Sequence, residues 1–183
     1  MTTKTGVERL ERLFARLEVL TARATVEQLS EWLGEAAITK DDIADYVRFG
    51  PETYQRNLVQ EGEFYHALVL CWRSGQRSPI HNHAGSTCGL VVVEGIATET
   101  VFEHSPCGLV KAVLSCDLPE GKIGASVDTD THQVSNLQPA GDDLITLHIY
   151  SPPLLRMASY SLTEPHVSEF RPMVVTHVDG SGI

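Results

Sequence analysis

The sequence predicts a mainly β fold, a small sandwich or barrel of short strands with helices packed against it. Three observations lead to this prediction. Residues 1–50 carry apolar side chains at helical spacing, many short strand-like runs follow the Gly50-Pro51 pair, and turn residues separate those runs. Because no linker interrupts the chain, we expect one domain over residues 1–183.

Two or three short helices are predicted within residues 1–50. In the segment LERLFARLEVL the apolar residues recur every three or four positions, with charged residues between them. A second helix begins with a capping box, because Thr25 is followed three residues later by Gln28. The segment TKDDIADYV carries a third start signal, in which Thr39 is the candidate cap.

The barrel is predicted over residues 51–178, with residues 179–183 as a frayed tail. Its strands should be short, because Gly, Pro, Asn and Asp interrupt the apolar runs at close intervals. The predicted strand runs are FYHALVLCW, GLVVVEG, ATETVFEH, GLVKAVLSC, GASVD, LITLHIYS and MASYSL.

The composition argues against several classes of protein. The formal net charge is −10 and no run of Lys or Arg is present, so the surface does not suit nucleic acid. The longest apolar runs are too short to span a bilayer, and the N-terminal segment lacks the apolar core of a signal peptide. The four cysteines show neither CxxC nor zinc spacing. We therefore predict a cytoplasmic monomer, without nucleic-acid or membrane partners, in which the cysteines are free thiols.

A candidate metal site lies in the segment SPIHNHAGSTCGL. In an extended chain His81 and His83 point to the same side, and two imidazoles on one face suit iron, zinc, copper or nickel. From Gly75 to Gly95 the spacing resembles the first motif of the cupins, G-x5-H-x-H-x(3,4)-E-x6-G. One position departs from that motif, because Cys88 stands where the cupins carry a glutamate.

The second cupin motif is recognisable but weaker. It supplies His132 and Asn136 in the segment HQVSN, with Gly121 at the expected upstream position. The proline and glycine that usually lie between these points are absent. The resemblance covers roughly residues 64–151 and implies a cupin-type double-stranded β-barrel, or jelly roll, with a metal in its mouth.

Four local matches narrow the resemblance to the thiol dioxygenases, and specifically to the cysteine dioxygenase family. They span about residues 54–153 in the family's order: YQRNLV, LCW, HNHAGSTC and LHIYSPP. The resemblance implies that His81, His83 and His132 hold Fe(2+) without a carboxylate ligand. A site with three neutral ligands keeps the full charge of the ion, so a substrate thiolate can bind as the first anion.

The resemblance also assigns roles to Cys88 and Tyr150, whose counterparts in the family can be joined by a thioether bond. In LITLHIYS, period-two alternation places Thr146, His148 and Tyr150 on one face. Three polar side chains on an interior face need partners, and we expect a hydrogen-bonded row that ends at the Tyr150 hydroxyl beside the metal. His148 is predicted to orient that hydroxyl rather than to bind the metal. The family usually has serine where this chain has Thr146, which keeps the hydroxyl.

The family's substrate segment matches YQRN, so Arg56 is predicted to grip a substrate carboxylate, with Tyr54 as a second donor. The predicted activity is iron(II)-dependent oxidation of L-cysteine by O2 to cysteine sulfinic acid, a non-heme iron dioxygenase reaction. Relatives that act on 3-mercaptopropionate carry their arginine after the final strand. In this chain Ser159 occupies the position at which that arginine is expected, and Arg156 lies at a different spacing.

Three alternatives stay open from the sequence. They are a dioxygenase of another small thiol such as 3-mercaptopropionate, a non-catalytic metal-binding sensor, and a cupin isomerase with another metal. The missing glutamate disfavours the isomerase. The geometry of the Ser151-Pro152 bond is also open, since cis peptide bonds concentrate at prolines but most prolyl bonds are trans.

Overall fold

The computed structural model describes residues 4–127 and 131–176 of the chain. Its helices are α1 (Lys4–Glu18), α2 (Val26–Ala36) and a 3-10 helix (Lys40–Tyr46). Its strands are β1 (Gln55–Gly62), β2 (Tyr65–Trp72), β3 (Ile80–His81), β4 (Thr87–Glu94), β5 (Ile96–His104), β6 (Val110–Pro119), β7 (Ile123–Ser126), β8 (Thr131–Ser135), β9 (Leu144–Ser151), β10 (Met157–Tyr160) and β11 (Ser168–Phe170).

The strands form two sheets in which all the paired strands are antiparallel. The first sheet has the order β1-β2-β9-β4-β7, and the second has the order β11-β10-β3-β8-β5-β6. The neighbours in each sheet are mostly distant in sequence, which is typical of a jelly roll rather than of a simple meander. The predicted mainly β fold with N-terminal helices is therefore confirmed.

The first sheet is covered on both faces, because the helices pack on one side and the second sheet on the other. Along β9, residues Ile145, Leu147 and Ile149 join the core beneath the helices. The residues between them face the interior between the sheets, where Tyr150 packs with apolar residues of both sheets. The strand is buried along its whole length, and the predicted division of β9 into a polar and an apolar face holds.

Helix α2 approaches the first sheet closely at a glycine. A Cβ placed on Gly89 of β4 would come within 2.9 Å of the Leu29 Cβ atom and within 3.0 Å of the Leu33 Cδ1 atom. Both leucines are fully buried, so this contact sets the distance between the helix and the sheet. The capping box predicted for α2 is present, with both of its hydrogen bonds formed by Thr25 and Gln28.

The third predicted helix is a short 3-10 helix that begins after Thr39, as the sequence indicated. The Asp42 carboxylate accepts a hydrogen bond from the Thr39 backbone N–H at 2.8 Å and an ion-paired hydrogen bond from Arg9 at 3.1 Å. Asp42 is only 3% exposed, and this pairing ties the first helix to the start of the third.

Four of the described strands were not among the runs predicted from the sequence. The segments that form β1, β3 and β8 were recognised only for their site residues, and β1 and β8 mix polar with apolar side chains. Strand β11 has three residues. The chain then returns to β1, because the Val175 N–H donates to the Arg56 carbonyl and the Leu58 N–H donates to the Val175 carbonyl, each at 2.9 Å. The predicted tail at 179–183 lies outside the described residues.

The remaining expectations concern cysteines and membranes. All four cysteines are free, as predicted, with Cys71 and Cys88 buried and Cys107 and Cys116 exposed. Within the described ranges, no helix combines the length and the apolar character needed to cross a membrane. The Ser151–Pro152 peptide bond is cis. The monomeric state and the cytoplasmic location stay predictions.

Candidate metal centre and active site

Three histidines of the second sheet meet at one end of the barrel. His81 in β3 and His132 in β8 are direct cross-strand partners, and His83 follows β3 by two residues. One ring nitrogen from each histidine lies within 4.8 Å of the others, and all three side chains are buried. The His132 Nε2 and His83 Nε2 atoms are 3.1 Å apart. The structure thus brings together the three predicted metal ligands.

Protein groups on the outer side of the cluster contact the Nδ1 atom of each ring. These contacts are His81 Nδ1 with the Pro79 carbonyl at 2.9 Å, His132 Nδ1 with Glu99 Oε1 at 2.7 Å, and His83 Nδ1 with Ser126 Oγ at 3.5 Å. A carbonyl and a carboxylate only accept hydrogen bonds, so His81 and His132 carry hydrogen on Nδ1 and turn Nε2 inward.

The cluster is chemically suited to a metal ion. Burial lowers the pKa of His81 to about 3, with a further contribution from His132. Burial likewise lowers the pKa of His83 to about 2, assisted by the neighbouring imidazoles. Both rings are therefore neutral at physiological pH and present lone pairs. Together with His132, they form a converging set of three imidazoles, which suits iron, zinc, copper or nickel.

The first sheet supplies the opposite wall of the site. On β9, the Thr146 Oγ1 and His148 Nε2 atoms are 3.0 Å apart, and the His148 Nδ1 and Tyr150 hydroxyl oxygen atoms are 3.1 Å apart. This is the hydrogen-bonded row that the alternation predicted. Burial, followed by the charge of Arg56, lowers the pKa of His148 well below its usual value, so this ring is also neutral.

Cys88 lies beside Tyr150. The two residues are direct cross-strand partners of β4 and β9, and the Cys88 Sγ atom is 3.9 Å from His148 Nδ1. Burial raises the pKa of Cys88 to about 12, which keeps the thiol protonated. Burial also raises the pKa of Tyr150, with a further contribution from Cys88. The predicted pair therefore meets as a neutral thiol and a neutral phenol.

Arg56 of β1 is a buried cation without an acidic partner. Its side chain is only 3% exposed, and its Cζ atom lies 5.1 Å from the centre of the Tyr150 ring. Within the described residues, no carboxylate forms an ion pair with it, and its Nε and Nη2 groups lack hydrogen-bond partners. Burial alone would lower the pKa of Arg56, but the phenols of Tyr150 and Tyr54 outweigh it and the pKa is raised. The guanidinium is therefore charged and has unused donors.

One small cavity joins these groups. Eight of the nine predicted site residues line it, and Thr146 lies behind His148. Two contributors were not anticipated: Glu99, which holds His132, and Trp72, whose ring stacks on Tyr54 at 4.1 Å. No local spacing marks either residue. Glu99 lies within the predicted strand run ATETVFEH, and Trp72 ends the predicted strand run FYHALVLCW.

Sequence comparison shows which family has this site. The profile described as "Cysteine dioxygenase type I" matches residues 4–163. The chain belongs to the cysteine dioxygenase family. It is 30% identical over 148 residues to "Cysteine dioxygenase type 1" of Homo sapiens and of Rattus norvegicus, covering 79% of this chain and 71% of each relative. The corresponding protein of Danio rerio is 28% identical over 146 residues, covering 77% of this chain and 72% of the relative.

Solved structures share the fold at lower identity. A protein with a double-stranded β-helix domain from Klebsiella pneumoniae superposes with a TM-score of 0.54 at 19% identity, over 64% of this chain and 88% of that chain. The TT1209 protein of Thermus thermophilus superposes with a TM-score of 0.51 at 20% identity, over 60% of this chain and 93% of that chain. The predicted cupin-type barrel and the family resemblance are both confirmed. The family makes the chain a dioxygenase of small thiols, and its three-histidine cluster indicates a bound metal.

Proposed function

We propose that this cysteine dioxygenase family member uses iron(II) to oxidise L-cysteine with O2 to cysteine sulfinic acid. One observation carries the proposal: a buried guanidinium with unused donors, Arg56, shares a small cavity with three converging neutral imidazoles. A small molecule with a carboxylate at one end and a thiol at the other matches these two sets of groups.

The three histidines would hold the ion, and their neutrality matters for the chemistry. The commoner facial triad of iron oxygenases includes a carboxylate, whereas here all three donors are uncharged. When bound, iron(II) supplies open positions at which a thiol becomes a thiolate and O2 is activated. Both oxygen atoms end on the substrate sulfur, and the thiol supplies the electrons.

Arg56 and Tyr54 would bind the carboxylate end of the substrate. A guanidinium can donate two parallel hydrogen bonds to a carboxylate, and the Nε and Nη2 groups of Arg56 have no partner among the residues that the structure describes. The rival position for such an arginine, after β9, is not met: the Arg156 side chain is 72% exposed and its Nη1 atom lies 3.9 Å from Glu169 Oε2. This contrast supports L-cysteine over 3-mercaptopropionate as the preferred substrate.

Tyr150 would orient the reacting groups through its hydroxyl, and the row through His148 and Thr146 would hold that hydroxyl in place. We also assign to Cys88 and Tyr150 the thioether bond seen in the family. Forming that carbon–sulfur bond removes the thiol hydrogen and one ring hydrogen, and O2 is the oxidant that accepts the two electrons. Intact mass after aerobic turnover should fall by the mass of two hydrogens, and Cys88→Ser should abolish the change.

The deciding experiment is O2 consumption by the iron-loaded protein with L-cysteine, with the sulfinate identified by mass. One O2 should be consumed for each sulfinate formed. The same assay with 3-mercaptopropionate, which lacks the amine, should give a lower kcat/KM. A non-catalytic sensor would bind the thiol without consuming O2, and that result would refute the proposal.

Two arginine variants test where the substrate carboxylate binds. Arg56→Ala removes two charge-assisted hydrogen bonds, each contributing about 1.5–3 kcal/mol, so we expect kcat/KM to fall by roughly two to four orders of magnitude. Arg156→Ala is the matched control and should leave kcat/KM for L-cysteine unchanged. If the larger loss came from Arg156→Ala, the carboxylate would bind at the segment that follows β9 and the substrate assignment would be wrong.

A further inference from the structure

The hydrogen-bonded row on β9 continues beyond Thr146 into the neighbouring strand. The Trp72 indole Nε1–H of β2 donates to Thr146 Oγ1 at 3.1 Å. Trp72 is 1% exposed and Thr146 is fully buried, so water does not compete for this bond. The row therefore runs through four side chains from Trp72 to the Tyr150 hydroxyl.

An indole N–H can only donate a hydrogen bond, and this gives the row a direction. Thr146 Oγ1 accepts from Trp72, which makes its hydroxyl a stronger donor, and the hydroxyl hydrogen is then donated to His148 Nε2, 3.0 Å away. The neutral His148 ring then carries its own hydrogen on Nδ1 and donates it to the Tyr150 oxygen, 3.1 Å away. In this arrangement the hydroxyl hydrogen of Tyr150 is not used within the row and can point into the cavity.

We propose that Trp72 is a positioning residue that selects the Nδ1–H tautomer of His148 and thereby directs the Tyr150 hydroxyl hydrogen toward the substrate. The consequence for catalysis rests on the proposed function, whereas the tautomer does not. Trp72 reaches the substrate side as well, because its ring stacks on Tyr54 with centroids 4.1 Å apart and planes 10° apart. The same indole therefore contacts both the phenol row and a wall of the carboxylate site.

Removing the indole N–H should allow the hydrogen bonds of the row to reverse their donor and acceptor roles. Without that donor, the Thr146 hydroxyl is a weaker donor, and its oxygen more readily accepts a hydrogen bond from His148 Nε2–H instead. The His148 ring can then exchange between two tautomers, and in one of them Nδ1 accepts the Tyr150 hydrogen and withdraws it from the cavity. The loss of one N–H donor in β2 should thus be detectable at His148, two side chains further along the row.

The test is Trp72→Phe in the full chain, loaded with zinc(II) because this ion is diamagnetic. Phenylalanine keeps an aromatic ring against Tyr54 and lacks the N–H. Nitrogen-15 chemical shifts of His148 report directly which ring nitrogen carries hydrogen. We expect the Nδ1–H form alone in the wild-type protein and a mixture in the variant. Trp32→Phe, on α2, is the matched control and should leave the His148 shifts unchanged.

Kinetics of the iron-loaded variants give a second readout. Losing the directing bond should lower kcat for L-cysteine by roughly 2- to 12-fold while KM changes less, since the carboxylate contacts remain. If Trp72→Phe fails to fold, Thr146→Val breaks the next link with Trp72 in place and should also mix the His148 tautomers. A wild-type Nε2–H tautomer, or an unchanged Nδ1–H tautomer in the broken row, would overturn the proposal. The zinc experiment needs no turnover, so its result is independent of whether L-cysteine is the substrate.

Discussion

Glu99 should control how tightly the three-histidine centre holds its metal. Its Oε1 atom lies 2.7 Å from Nδ1 of His132, which leaves the Nε2 atom of that ring for the ion. A carboxylate in this position fixes the orientation of the imidazole and makes it a better electron donor. The chain thus lacks a carboxylate among its predicted ligands but places one immediately behind a ligand.

The size of the effect follows from the geometry of this contact. The contact is short, and the side chains of Glu99 and His132 are only 23% and 4% exposed, so solvent weakens it little. A hydrogen bond to a charged group contributes about 1.5–3 kcal/mol and a neutral one about 0.5–1.5 kcal/mol. Glu99→Gln exchanges the first for the second and should weaken metal binding about 5- to 12-fold. Glu99→Ala removes the bond and should weaken binding by roughly 10- to 100-fold.

The assay is anaerobic titration of metal-free protein with iron(II) in competition with a chelator of known affinity. Glu103→Gln is the matched control, because Glu103 is exposed on the same strand and its loss changes the net charge equally. That control should bind iron as tightly as the wild-type protein. Equal affinities for wild type and Glu99→Ala would refute the argument, and an equal loss in Glu103→Gln would show that only net charge matters.

Two further predictions concern stability. Gly89→Ala would force its Cβ against α2 and should lower the free energy of unfolding by about 1–3 kcal/mol, measured in urea. Gly34→Ala, whose Cβ would meet nothing nearer than 3.5 Å, should instead raise it by about 0.5–1 kcal/mol, and the opposite order would contradict the packing. Burial alone would raise the pKa of Asp42, but the hydrogen bonds from Thr39 and Arg9 lower it. The Asp42 carboxylate therefore stabilises the fold fully above its unfolded-state pKa of about 4. This contribution is lost as the pH falls through the lower pKa that Asp42 has in the folded protein. Asp42→Asn should cost about 1 kcal/mol at pH 7, and a cost that persists undiminished in strong acid would contradict this pairing.

Much of the site could be predicted from short segments of the chain. The row from Thr146 to Tyr150 lies within one strand, so the period-two geometry of β structure was sufficient to place its side chains together. The cap at Thr25 is equally local, since both partners lie within three residues. Arg56 was found only through the family resemblance, because an isolated arginine carries no signal of burial.

Other features depended on contacts between distant segments. The third helix is a 3-10 helix, and strand β1, recognised for its arginine, completes an edge of the first sheet. Glu99 and Trp72 acquire their roles from partners 33 and 74 residues away, respectively. No periodicity within a strand specifies which residue of another strand will lie opposite its side chain.

The amino-acid sequence by itself determined the His81 and His83 pair and the alternation along β9, because these depend on spacing within a few residues, whereas His132 and the class of barrel came from the family resemblance of its motifs. Tertiary structure alone decided that the three histidines, in or just after strands of one sheet, face the arginine and phenol of the other across one small cavity. The physical reason is that strand pairing and sheet packing are set by burial of the whole core, and only that burial removes water from the guanidinium, the imidazoles and the thiol.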